Sequence, residues 1–186
     1  MLGIRPLGVR LLAATIGALL VVLLLGPLAG DGSALAVAES RATVTRTITI
    51  PAGAFVPTED GRDYLNMGSF LALQSGGSGL FVAALSFESP QVTIRKITLF
   101  ALDNGAGSVV LSLERSVPVA GGRQVSGFVG SMGAENGVRS FTQSDLDYRR
   151  VTGAYGPYLL LALPGSHSAG YVFYGAKVTY SYEAGV

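Results

Sequence analysis

The chain has no cysteine and no tryptophan, a single histidine, and charge on only 13% of its residues. Without cysteine there is no disulfide, no thiolate metal site, no cysteine nucleophile and no lipidated N-terminal cysteine. With one histidine as well, a zinc site would have to rely on carboxylates, which argues against catalytic zinc. That histidine, His167, lies in the turn Pro164-Gly165-Ser166-His167-Ser168. A Ser-His-Asp hydrolase would need it beside a serine and a carboxylate, and no G-x-S-x-G elbow precedes a helix, so it reads as an exposed turn residue.

What is abundant is glycine, 26 residues, and hydrophobic side chains, 49% of the chain. That balance favours turn-rich β structure over helix bundles and is ample for one core. The N-terminal stretch runs from Arg5 and Arg10 through the apolar Leu11 to Leu25, breaks at Gly26-Pro27 and reaches small residues at Ala34 to Ala38. This order is that of a secretory signal peptide, so residues 1–38 are expected to be a removed apolar signal helix and 39–186 a single domain. An uncleaved anchor is the competing reading, because the run nearly reaches the span of about 20 residues that a bilayer needs. A secreted or cell-surface location follows from either. Removing Arg5, Arg10 and Asp31 takes 13 basic and 12 acidic residues to 11 of each, which gives no electrostatic reason to bind nucleic acid or an anionic membrane.

Arg41 to Ile50 alternates Val44, Arg46, Ile48 and Ile50 with threonines, a first strand whose Arg46 argues for a sheet edge or a strand end. Pro51 to Asp63 reads as a loop, Asn66 to Leu73 as one strand and Leu80 to Phe87 as another. In Gln91 to Ser116 two period-2 runs flank the six residues Asp103 to Ser108, and the stretch reads as a β-hairpin. Its first arm changes phase at Arg95-Lys96, which suggests a β-bulge or a twist there. Arg123 to Met132 alternates Val125, Gly127 and Val129 against Ser126, Phe128 and Gly130, and Val138 to Thr142 is a short strand. Gln143 to Arg150 has room for one helical turn. Tyr158 to Leu163 is continuously apolar, as in a strand buried on both faces. Gly170 to Tyr182 places Val172, Tyr174, Ala176, Val178 and Tyr180 on one face and Tyr171, Phe173, Lys177, Thr179 and Ser181 on the other.

Eight to ten strands without an amphipathic helix or an internal repeat predict an all-β antiparallel sandwich, jelly-roll-like before immunoglobulin-like. The succession IPAGAF, YLNMG, VTIRKITLFALDNGAGSVVLSLERS and YLLLALPGSHSAGYVFYGAKVTYSY resembles a type of uncharacterised bacterial exported β-sandwich protein. The likeness spans most of residues 46–182, rests on structural motifs, and implies no activity.

Two acidic clusters, Glu59, Asp60 and Asp63 in one loop and Asp145 and Asp147 in another, are the candidates for oxygen ligation of calcium, although neither has EF-hand spacing. Glu88, Glu114 and Glu135 would be the acids of a glycosidase, but they read as solvated strand-end or turn residues and nothing singles out a pair. Seven of the eight tyrosines lie from Tyr148 onward. An exposed row of them could stack on sugar rings, with Tyr148, Tyr155 and Tyr171 as candidates, while core and sheet packing is the simpler use. The expectation is a non-enzymatic, exported binding or structural module without a required cofactor. Its alternatives are a carbohydrate-binding module that takes an extracellular glycan and a subunit of a homo-oligomer. The last predicts an apolar patch left over once the core is filled.

Overall fold

The computed structural model describes residues 41–132 and 135–184. The apolar segment expected as a signal peptide lies outside the described residues. Among these there are twelve strands, three short 3-10 turns and no α-helix, and so no helix long and apolar enough to cross a membrane. The strands are β1 (Thr43–Pro51), β2 (Val56–Pro57), β3 (Tyr64–Asn66), β4 (Leu71–Leu73), β5 (Gly79–Ala84) and β6 (Val92–Asp103). They continue with β7 (Val110–Val117), β8 (Gly122–Gly130), β9 (Glu135–Gln143), β10 (Arg150–Val151), β11 (Gly156–Leu163) and β12 (Tyr171–Glu183).

All strand pairs are antiparallel and form two sheets. In the front sheet β6 and β12 lie side by side at the centre. β9 and β10 flank β6, while β1 and β4 flank β12, with β3 beyond β4. The back sheet runs β2-β5-β11-β7-β8. Alternate side chains of the two sheets meet between them, with Ile97, Leu99, Phe173 and Val178 from the front and Phe81, Leu111, Leu159 and Leu161 from the back all fully buried. Phe55 packs edge-on against Phe173 at 4.7 Å between ring centres. Period-2 sequences with one apolar face are what such a two-layer core demands.

The stretch expected as a hairpin is not one. β6 belongs to the front sheet and β7 to the back, so the connection between them crosses the sandwich. Both arrangements bury the same alternating residues. The six-residue link is long enough to turn the second strand under the first, and a set of bonds fixes it there. Asp103 accepts from the Gly105 N–H and from the hydroxyl of Ser131, whose oxygen accepts from the Val109 N–H at 2.7 Å. The Gly107 N–H donates to the Tyr171 hydroxyl at 2.6 Å.

Three bulges reset the alternation. At the phase change read at Arg95-Lys96, Thr179 pairs with Lys96 and Tyr180 with Ile94, leaving Arg95 as the extra residue. In β8, Leu113 pairs with Gly127 and Glu114 with Val125, so Ser126 is extra. Val125 and Val129, expected on one face, therefore point to opposite sides, and Val125 is exposed. In β12, Phe173 pairs with Ala101 and Gly175 with Phe100, which ejects Tyr174. Gly175 makes this turn at φ +138°, where a Cβ would stand 2.9 Å from the Ile50 carbonyl oxygen. Phe173, expected opposite Ala176 and Val178, thus shares the core with them while Tyr174 turns outward.

Other boundaries differ locally. Asn66 to Leu73 is split into β3 and β4 by a turn closed by the Met67 N–H on the Phe70 carbonyl at 3.0 Å, with Gly68 at φ +78°. The expected loop 51–63 contains a 3-10 turn and the two-residue β2, and 143–150 is irregular rather than helical. Arg46 does lie on an edge strand, where it reaches Glu88 at 3.4 Å.

Candidate ligand-binding face

The outward side of the front sheet is built from the residues that alternate with the core positions. Cross-strand register aligns them in rows: Thr45 with Ser181 and Thr93, Thr47 with Thr179 and Lys96, Thr49 with Lys177, Thr98 and Thr142. Hydroxyls bond across neighbouring strands, Thr47 to Thr179 at 2.9 Å and Thr98 to Thr142 at 3.1 Å. The result is a strip of hydroxyls interrupted by exposed lysines, open at Thr45, Thr47, Thr49 and Thr142 and buried at Thr98 and Ser181, which no other strand among the described residues covers.

At one end of this strip the β12 bulge presents Tyr174, 37% exposed. Its ring lies 6.4 Å from that of Phe70, and the ammonium of Lys177 sits 5.4 Å over the ring of Phe100. Tyr174, Phe100, Val138, Lys177 and Thr49 line a shallow recess of about 270 Å³. Aromatic faces beside hydroxyls and a cation are suited to a polyhydroxylated ring, whose C–H face stacks while its edge hydrogen-bonds.

At the other end lies a polar cleft of about 480 Å³. Three guanidiniums line it, Arg41, Arg95 and Arg150, together with Ser89, Gln91, Thr93, Ser181 and one carboxylate, Glu183. Arg95 is there because the bulge turns it outward, and its Nε donates to the Ser181 hydroxyl at 2.8 Å. Arg150 is carried by β10, which pairs with Thr93 of β6 and whose Arg150 carbonyl accepts from Arg115 at 3.1 Å. Glu183 accepts from the Thr43 hydroxyl at 3.0 Å. The volume falls within the range of small-ligand sites, roughly 300 to 1,000 Å³.

The residues singled out from the sequence lie elsewhere. Tyr148 and Tyr155 hold the buried guanidinium of Arg115 between their rings, at 4.8 and 4.0 Å from the ring centres. Tyr171 is 6% exposed, its hydroxyl taken by Gly107. Glu59 pairs with Arg62 at 2.8 Å, and Asp60 and Asp63 stay exposed in the same loop. Asp145 faces Arg149 at 3.6 Å, and Asp147 is exposed nearby. Among the described residues no three His, Asp or Glu side chains come together as metal ligands. His167 opens the 3-10 turn 167–169 and is exposed. Glu114, expected to be solvated, is 3% exposed, bonded to the Tyr158 hydroxyl at 2.7 Å and to Arg123 at 3.2 Å.

Sequence reasoning missed Tyr174, Arg95 and Arg150 as site residues. The signal for Tyr174 was its successor Gly175, a residue that can take the positive φ that a bulge requires. The signal for Arg95 was the phase change itself, which was read for structure and not for what an ejected arginine could touch.

No protein-family model and no curated protein matches the chain. Among solved structures it is similar to the CBM36-1 domain of a multidomain xylanase from the hindgut metagenome of Trinervitermes trinervoides, at 14% identity over 76% of this chain and 100% of that one, with a TM-score of 0.44. It is similar to a carbohydrate-binding module CBM36 in complex with calcium and xylotriose, at 14% identity, 72% and 98% coverage and a TM-score of 0.43. It is also similar to the xylan-binding module CBM15, at 10% identity, 76% and 100% coverage and a TM-score of 0.48. Identities of this order carry no functional residue over to this chain.

Proposed function

We propose that the protein is a non-catalytic, jelly-roll-like binding module acting outside the cell, and that it takes a glycan chain on the outward face of its front sheet. One observation carries the reading: the same uncovered face holds an aromatic recess at Tyr174, a strip of hydroxyls, and a polar cleft at Arg95 and Arg150. Stacking surface, hydroxyl partners and charged donors in line are what an extended saccharide needs. Non-catalytic use is supported by the cleft's donor set, in which Glu183 is the one carboxylate. A glycosidase needs two acids flanking the scissile bond. Action outside the cell is supported by the order of charges, apolar run and small residues at the start of the sequence.

The test is affinity electrophoresis and calorimetry of the chain against soluble xylan, mannan, β-glucan and polygalacturonate. Retention by at least one polysaccharide, reduced about tenfold or more by Tyr174→Ala with the melting temperature unchanged, is the expected result, in line with the roughly 1 to 3 kcal/mol that a stacked ring contributes. No retention of the folded protein by any of them overturns the reading.

A second reading, a subunit of a homo-oligomer, is favoured by the back sheet. Its outward rows are Val56, Val82, Leu160, Ser112 and Phe128, then Leu80, Ala162, Val110 and Gly130. Val56, Leu80, Val125 and Phe128 are exposed, and Glu114, on the same face, is sealed under Tyr158 and Arg123. The apolar run 158–163 reads as a strand covered on both faces, and the monomer covers one. A second copy of the chain, which brings the same largely apolar face, is the occupant that this reading assigns.

A further inference from the structure

Resting on the glycan reading above, we propose that the chain it binds is acidic. Its anionic substituents would sit in the arginine cleft and a sugar ring on Tyr174, with the polymer axis along β12. From Gly175 to Ser181 the strand advances about 20 Å, so the two ends of the face are separated by an oligosaccharide's length and not by a single ring.

The charge on this face is net positive, with three guanidiniums against one carboxylate in the cleft. Arg41, Arg95 and Arg150 have no carboxylate partner among the described residues, and the groups that Arg95 and Arg150 touch, the Ser181 hydroxyl at 2.8 Å and the Gln91 amide oxygen at 3.5 Å, are neutral. Glu183, the one acid in the cleft, is engaged by Thr43. Lys96 and Lys177 extend the positive charge along the strip toward Tyr174. The whole chain carries a formal net charge of +1, so this concentration is local and not a reflection of a basic protein. Guanidinium groups present paired donors that match carboxylate, sulfate and phosphate oxygens.

A saccharide carrier is favoured over single-stranded nucleic acid by the rest of the face. Successive bases need successive aromatic platforms, and here the rings sit at the two ends, Tyr174 and Phe100 at one and Tyr182 at the other, while the intervening rows are threonine and serine hydroxyls with lysines. Uronate, sulfate-ester and phosphodiester glycans share the chemistry that the cleft recognises.

The experiment titrates the full chain with polygalacturonate, chondroitin sulfate and a phosphodiester-linked glycan, and with carboxyl-reduced polygalacturonate, xylan, poly-dT and polyacrylate. The melting temperature of each variant is measured alongside. Expected is binding to at least one acidic glycan, weakened about tenfold or more between 50 and 500 mM salt by screening. The same affinity should fall about tenfold or more in Arg150→Gln and in Arg41→Gln/Arg95→Gln, and Tyr174→Ala should weaken it independently. Which acidic glycan binds identifies the anion. Carboxyl-reduced polymer or xylan bound as tightly, with no salt dependence, overturns the acidic ligand and leaves the glycan reading intact. No saccharide bound by the folded protein overturns both. Poly-dT or polyacrylate bound as tightly as the acidic glycans, with no effect of Tyr174→Ala, overturns the saccharide carrier.

Discussion

The hydroxyl of Tyr158 donates to a carboxylate oxygen of Glu114 at 2.7 Å across the paired strands β11 and β7. Burial first, and then this bond to Glu114, hold the Tyr158 phenol above its ordinary pKa, and burial with Glu88 does the same for Tyr180. A phenol whose folded-state pKa is raised stabilises the fold fully below its unfolded value of about 10, and that contribution is lost as pH climbs through the higher folded value. Thermal melts between pH 8 and 11.5 should therefore show stability falling above about pH 10. Tyr158→Phe should begin lower at pH 8, because Glu114 loses a donor, and then fall less steeply. Parallel curves for the two proteins would show that Tyr158 does not carry the dependence.

Gly175→Ala tests the bulge that ejects Tyr174. The substitution puts a Cβ on a backbone at φ +138° and 2.9 Å from the Ile50 carbonyl. Strain of this kind costs about 1 to 3 kcal/mol, read as a lower urea midpoint at unchanged slope. An unchanged midpoint would mean that the bulge relaxes without cost and that its glycine is dispensable.

Ser131→Ala tests the crossing between the sheets. The serine hydroxyl is the buried link between Asp103 and the Val109 N–H, and its removal strands that N–H and one of the two Asp103 carboxylate oxygens. A loss of about 1 to 3 kcal/mol in chemical denaturation is expected, the range for leaving buried polar groups unsatisfied. Ser131→Thr, which keeps the hydroxyl, should recover part of it.

Phe128→Asp tests the second copy. The ring is 63% exposed, so monomer stability should change by no more than about 0.5 kcal/mol. If the back sheet is an interface, light scattering after size exclusion will give a multiple of the monomer mass for the parent protein and the monomer mass for the variant. Monomers in both cases remove the assembly reading.

The sheet-forming character of the chain was legible because one-face burial imposes period 2, and an irregularity at Arg95-Lys96 was legible because Ile97, Leu99 and Ala101 resume the alternation of Val92 and Ile94 one position out of phase. Whether β6 and β7 pair or oppose was not legible: a strand with one buried face needs the same alternation of apolar residues in either arrangement, and Ile97, Leu99, Leu111 and Leu113 satisfy it. Tyr174 was hidden because tyrosine is as acceptable inside a sheet as on its surface. The candidate face was hidden for a different reason. Thr45, Thr47, Thr49, Lys177, Thr179 and Ser181 each read as ordinary solvated positions of their own strand. Only the register that sets β1 against β12, and β12 against β6, assembles them into one surface.

That same register governs how the molecule is made. β1 pairs along its whole length with β12, Thr43 opposite Glu183, a separation of 140 residues. Among the described strands the earliest in the chain pairs with the latest, so the front sheet cannot be completed before β12 has been made. Contacts this distant in sequence place folding among slow β topologies, on the order of milliseconds to seconds. Until β12 has been made, the backbone N–H and C=O groups along that edge of β1 are left without their hydrogen-bonding partner.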